Sequence, residues 1–200
     1  MSFPAFFEQV PTISLRDPLA EFLGAAEQGI IQYTYSDIVK LAGHSCPTVA
    51  GAYLMTVKSL QKLYGSDLPE RGNIQVEFKN DLLEGVTGVM ANVVSMITGA
   101  TTDNGFKGLK GKFDRRNLLH FNRAINGAIK FTRLDSGANV TVDFNSSVVP
   151  APADLMPNLL ASLEDDTPIE DKQAFAKAWQ ERVKKIFEQA EHPELVVFKE

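Results

Sequence analysis

The chain is predicted to adopt an α+β fold: an antiparallel sheet of about four or five strands with helices packed mainly on one face. Three observations lead to this. Two segments, 47–64 and 86–97, repeat apolar residues at three and four positions as helices do. Ile74-Gln75-Val76-Glu77-Phe78-Lys79 alternates strictly, as a half-buried strand does, with Ile74, Val76 and Phe78 inward. Three further strand-like runs, near 116–124, 128–134 and 139–145, follow one another with turns and no helix between them.

In chain order, residues 17–42 read as two short helices, with Leu19, Phe22 and Leu23 on one apolar face and Ile38, Val39 and Leu41 on the next, separated by the aromatic turn Tyr33-Thr34-Tyr35-Ser36. Ala50, Tyr53, Leu54, Val57, Leu60 and Leu63 then keep helical spacing from Pro47 until Gly65 stops the helix. Asp81-Leu82-Leu83-Glu84 has the spacing of a capping box ahead of the Val86–Ile97 helix, which Gly99 ends. Gly105-Phe106-Lys107-Gly108-Leu109-Lys110-Gly111-Lys112 is too rich in glycine for a helix and reads as a mobile basic loop. Asn126-Gly127 and Asp135-Ser136-Gly137 read as the turns joining the last three strands. Pro150-Ala151-Pro152 opens a tail with a short helix near 154–163, a long one near 168–190 striped by Phe175, Ala178, Trp179, Val183 and Ile186, and an edge strand at Leu195–Phe198. The expected organisation is a core over residues 1–150 and a helical extension over 151–200 packed on it.

A hydrophobic content of 44% in 200 residues is enough to bury a core, and the length suits one domain with appendages. A net charge of −5 argues against general binding of nucleic acid or of an anionic membrane surface. No apolar run is long enough to span a bilayer, and the start of the chain lacks a basic region followed by an apolar core. One cysteine leaves no intramolecular disulfide framework, so a cytoplasmic, reducing location is expected.

That cysteine lies in Gly43-His44-Ser45-Cys46-Pro47, two residues after a histidine. Proline at a first helical position places Cys46 at a helix start, where backbone N–H groups and the helix dipole stabilise a thiolate. A thiolate beside an imidazole can ligate a metal or attack an electrophile. The plainer reading is a small packed thiol beside a capping histidine. With a metal, zinc suits one thiolate and one imidazole, the tetrahedron being completed by a carboxylate, another imidazole or water.

Other candidates have plainer explanations. His120 sits among Leu118, Leu119 and Phe121, which favours packing over ligation, and His192 beside Pro193 suits an exposed loop. Asp81 and Glu84 could supply a carboxylate ligand or base, but the capping box explains both. Lys107, Lys110 and Lys112 could hold an anion, yet the loop lacks the G-x-x-x-x-G-K-[ST] pattern. Tyr53 and Met55 read as packing residues and Trp179 as the anchor of the last helix.

Ser36–Pro47, with Asn80-Asp81, Thr98-Gly99-Ala100-Thr101 and Phe121-Asn122-Arg123 in order behind it, resembles the FmdE-like family of formylmethanofuran dehydrogenase proteins over residues 30–145. The resemblance implies an α+β core without the C-terminal zinc finger of some members. It also implies a metal such as zinc at a crevice holding His44 and Cys46, homodimerisation, and a small-molecule ligand or substrate; it implies no particular reaction. Thr48 stands where a glycine commonly follows Cys-Pro, and Ala100 where many members carry a cysteine. The alternatives are a noncatalytic accessory protein of an oxidoreductase complex and a metal-free enzyme using the Cys46 thiol with His44 as base.

Overall fold

The computed structural model describes residues 2–200. Strand β1 (Ile13–Arg16) pairs antiparallel with β2 (Ile30–Tyr33), with the one-turn helix α1 (Pro18–Phe22) between them. Helix α2 (Tyr35–Ala42) follows. The expected pair of helices over 17–42 is therefore corrected to helix, strand and helix, because residues 30–33 find a partner in 13–16 that local periodicity does not reveal. Phe22 and Leu23 are correspondingly exposed instead of forming an apolar face.

Helix α3 (Pro47–Tyr64) is the centre of the molecule. Its residues Val49–Val57 are all buried, because α2, the sheet, and two later helices surround it. Strand β3 (Ile74–Phe78) turns Ile74, Val76 and Phe78 into the core, as the alternation requires. Helix α4 (Thr87–Thr98) packs against α3 and ends in a left-handed Gly99. The capping box expected at Asp81–Glu84 does not form: α4 begins later, and Asp81 instead accepts hydrogen bonds from the Leu83 N–H and from Asn122. A capping box is found at Thr34 and Asp37, each accepting from the other's backbone N–H at the start of α2.

The glycine-rich segment is a second correction. It forms a hairpin of β4 (Lys107–Leu109) and β5 (Lys112–Asp114). Lys110 and Gly111 both have positive φ, the two-residue turn whose twist matches paired strands. The strand expected over 116–124 shrinks to β6 (Leu119–His120), which runs parallel to β3. Asn126-Gly127 does not join neighbouring strands, because β3 lies between β6 and β7 (Ile129–Arg133). Asp135-Ser136-Gly137 does connect β7 to β8 (Asn139–Phe144) as a hairpin, with Gly137 at φ +74°.

After α5 (Leu155–Ser162) and α6 (Ile169–Glu188), strand β9 (Val196–Lys199) pairs with β8 and becomes an edge. The five-stranded sheet has the order β6-β3-β7-β8-β9, every pair antiparallel except β6 with β3. Val76, Phe131, Val142 and Ile129 line its helix-covered face, while Glu77 and Lys130 pair across the other. Among the described residues no helix is long and apolar enough to cross a membrane.

Two polar and aromatic clusters hold the layers in place. Asp17, almost fully buried, caps α1 and accepts from Arg71 at 2.8 Å and Arg115 at 2.6 Å. Burial alone would raise its carboxyl, but the Arg71 hydrogen bond and the Arg115 charge outweigh this and hold it below the ordinary carboxylate range. Tyr35 stacks edge-on with Phe7, Tyr53 and Phe187, joining the N-terminal segment, α2, α3 and α6 at one point.

Candidate functional site: a thiol and an imidazole at a cavity mouth

The site is assembled around Ser45. Gly43 ends α2 with φ +74°, a conformation that frees the next residues to leave the helix direction. Cys46 is extended and is itself the N-cap of α3, with Pro47 at the first helical position. Its Sγ accepts from the Val49 N–H at 3.4 Å, so a helix-terminal donor faces the sulfur as the sequence implied.

Between His44 and Cys46, Ser45 is buried and pinned on two sides. Its hydroxyl shares a 2.9 Å hydrogen bond with the Tyr35 hydroxyl, whose ionisation is pushed up by burial. Its carbonyl accepts from Trp179 Nε1 and from Gln180 Nε2, each at 3.0 Å. Trp179 does anchor the last helix, and the point it grips is the motif itself. His44 is exposed, and its Nδ1 lies 2.9 Å from the Ala42 carbonyl. With Nδ1 as the donor to that carbonyl, Nε2 is the ring nitrogen left to act as ligand or base.

His44 and Cys46 both line a cavity of about 970 Å³. Met55, Met90, Phe144 and Trp179 form apolar walls; Asp143, Arg182 and Lys199 bring charge. Gly51 makes this packing possible, since a Cβ there would lie 2.6 Å from Phe144 Cδ1. Both Asp143 oxygens are engaged, one by the Ala128 N–H at 2.6 Å and the other by Lys199 at 2.9 Å.

The remaining sequence candidates lie elsewhere. His120 stands on β6 opposite Glu77, and His192 sits in the turn after α6, its Nδ1 accepting from the Glu194 N–H. Lys107, Lys110 and Lys112 belong to the exposed β4–β5 hairpin, and neither they nor Asp81 and Glu84 line the cavity. Tyr53 is a packing residue whose hydroxyl donates to the Pro11 carbonyl; Met55 packs and also forms cavity wall. Ala100 is fully buried and is not a lining residue of this cavity. Reasoning from sequence missed Asp143, Phe144, Arg182 and Lys199. The one available signal was Gly51, a helix-interior glycine that marks a close approach.

Among the described residues no group of three or more His, Cys, Asp or Glu is close enough to hold a metal ion. His44 and Cys46 are donors of the kind zinc takes, but they number two, one fewer than the three protein ligands of an open zinc site, so further donors would have to come from a ligand, solvent or another chain.

The fold and this site define an α+β pocket protein with an imidazole and a thiol at the mouth of a largely apolar cavity. The chain belongs to the FmdE family: the family model described as "FmdE, Molybdenum formylmethanofuran dehydrogenase operon" matches residues 41–195. That match begins at the His-Cys motif and runs through α6, so it includes every residue lining the cavity up to Arg182. No curated protein matches the sequence.

Proposed function

We propose that this chain binds a small organic molecule in the cavity beside Cys46 and holds a divalent transition metal, zinc first, at its mouth through His44 and Cys46. The observation that carries the reading is that His44 and Cys46 both belong to the lining of one cavity, with Ser45 between them fixed by α2 and α6. Nδ1 of His44 is directed to a carbonyl, which leaves Nε2 as the ring nitrogen open to a ligand, and the Cys46 sulfur sits at a helix start beside the Val49 N–H. A bound zinc would supply Lewis-acid polarisation at the open positions.

Homodimerisation and a cytoplasmic location go with this reading. The family description also supports association with a formylmethanofuran dehydrogenase system, as its operon partner or as an accessory protein.

The test is metal content of purified protein never exposed to chelator, with Cys46→Ser and His44→Ala at matched purity. Serine is a better N-cap than cysteine, so Cys46→Ser removes the thiol without removing the cap. Near-stoichiometric metal in the parent, lost in both variants, is expected. Equal, negligible metal in all three would end the metal reading, and alkylation of Cys46 across pH would then test the thiol alternative.

A further inference from the structure

We propose that the ligand of this cavity is an organic monoanion, a carboxylate carried on an apolar body, and that Arg182 is the residue that recognises its charge. The proposal rests on the cavity being a ligand site, and not on the metal. The chain carries a net charge of −5, yet the charged residues lining the cavity are one carboxylate and two cations. Asp143 and Lys199 neutralise one another at 2.9 Å, which leaves Arg182 as the uncompensated charge.

Arg182 is half-buried, and its Nε donates to the Val149 carbonyl at 3.3 Å. Among the described residues its two Nη groups have no carboxylate partner and no hydrogen bond. A guanidinium fixed by one bond and free at its fork is arranged to take a planar carboxylate through two parallel hydrogen bonds.

Placement gives the ligand its direction. Arg182 lies three residues beyond Trp179 on the same face of α6, about 4.5 Å further along the axis. Trp179 touches Ser45, so a ligand whose carboxylate meets Arg182 runs along Trp179 with its other end beside His44 and Cys46. Met55, Met90 and Phe144 surround that path with apolar surface. Among the described residues, one unpaired cation, apolar walls and a cavity lining without glycine favour a single negative charge over a phosphate ester.

The test is calorimetric titration of the full chain, in excess chelator, with phenylbutyrate, its neutral isostere phenylbutyramide, and a phenylalkyl phosphate. The carboxylate is expected to bind about tenfold or more tightly than the amide. Arg182→Gln should bring the carboxylate's affinity down to that of the amide measured on the same variant, and Arg182→Lys should keep part of the preference. Ser146→Asp, on the exposed rim, should weaken carboxylate binding without touching Arg182. Equal affinities in the parent, a preference that survives Arg182→Gln, tighter binding of the phosphate, or no binding of any probe would each overturn the proposal. Because chelator is present, a carboxylate preference without metal content would remove only the metal reading, and metal content without the preference only this one.

Discussion

Trp179 Nε1 donates a 3.0 Å hydrogen bond to the carbonyl of Ser45, across 134 residues of chain. Gln180 donates to the same oxygen, so two consecutive residues of α6 hold the backbone between the imidazole and the thiol. The last long helix is thereby part of the site and not only a cover for α3.

Trp179→Phe should cost about 1 kcal/mol of stability, since one neutral hydrogen bond is lost while Gln180 still satisfies the carbonyl. Adding Gln180→Ala should cost more than the sum of the single changes, because the Ser45 oxygen is then left buried and unpaired. Urea unfolding followed by far-UV circular dichroism measures both, and additive losses would contradict a shared acceptor.

Gly51→Ala places a methyl 2.6 Å from the Phe144 ring. The helix-propensity gain of about 1 kcal/mol offsets overpacking of about 1–3 kcal/mol, so stability should fall modestly. The ring lines the cavity, and its displacement should weaken probe binding more than it weakens the fold. Titration and thermal melting of the same variant separate the two effects.

Asp17→Asn should be the most damaging of these changes, at about 3–5 kcal/mol, since it leaves the buried Arg115 and partly buried Arg71 without their shared carboxylate. Chemical denaturation at neutral pH reads the loss directly.

The same carboxylate makes a pH prediction. Its folded pKa lies below its unfolded value of 3.8, so its contribution is fully present above that value and is lost as pH falls from about 4 toward the folded pKa. The stability gap between the parent and Asp17→Asn should therefore shrink on acidification through that window. Asp135, held at about 2 chiefly by its Arg133 hydrogen bonds, should still be ionised at pH 3 by carboxyl NMR titration.

Local signals were legible where the chain satisfies itself locally. Pro47 after Cys46, the spacing from Ala50 to Leu63 and the alternation of 74–78 each specify an element, because capping, helical packing and strand pleating act within a few residues. The Asp81–Glu84 spacing misled because a capping-box pattern also fits a loop, where Asp81 meets Asn122 instead. Residues 30–33 became a strand because 13–16, remote in sequence, accept them, and the strand expected over 116–124 forms only at 119–120, where 76–77 accept it.

By itself the sequence determined the α+β class, the core faces of α3 and β3 and the placement of Cys46 at a helix start, since each depends on short-range periodicity or on proline geometry. Only the tertiary structure decided what surrounds that start. Trp179 reaches the motif, and Arg182 and Phe144 line the cavity beside it, because α6 and β8 both pack against α3. Such convergence depends on how apolar faces bury one another across the whole chain, and no local spacing records it.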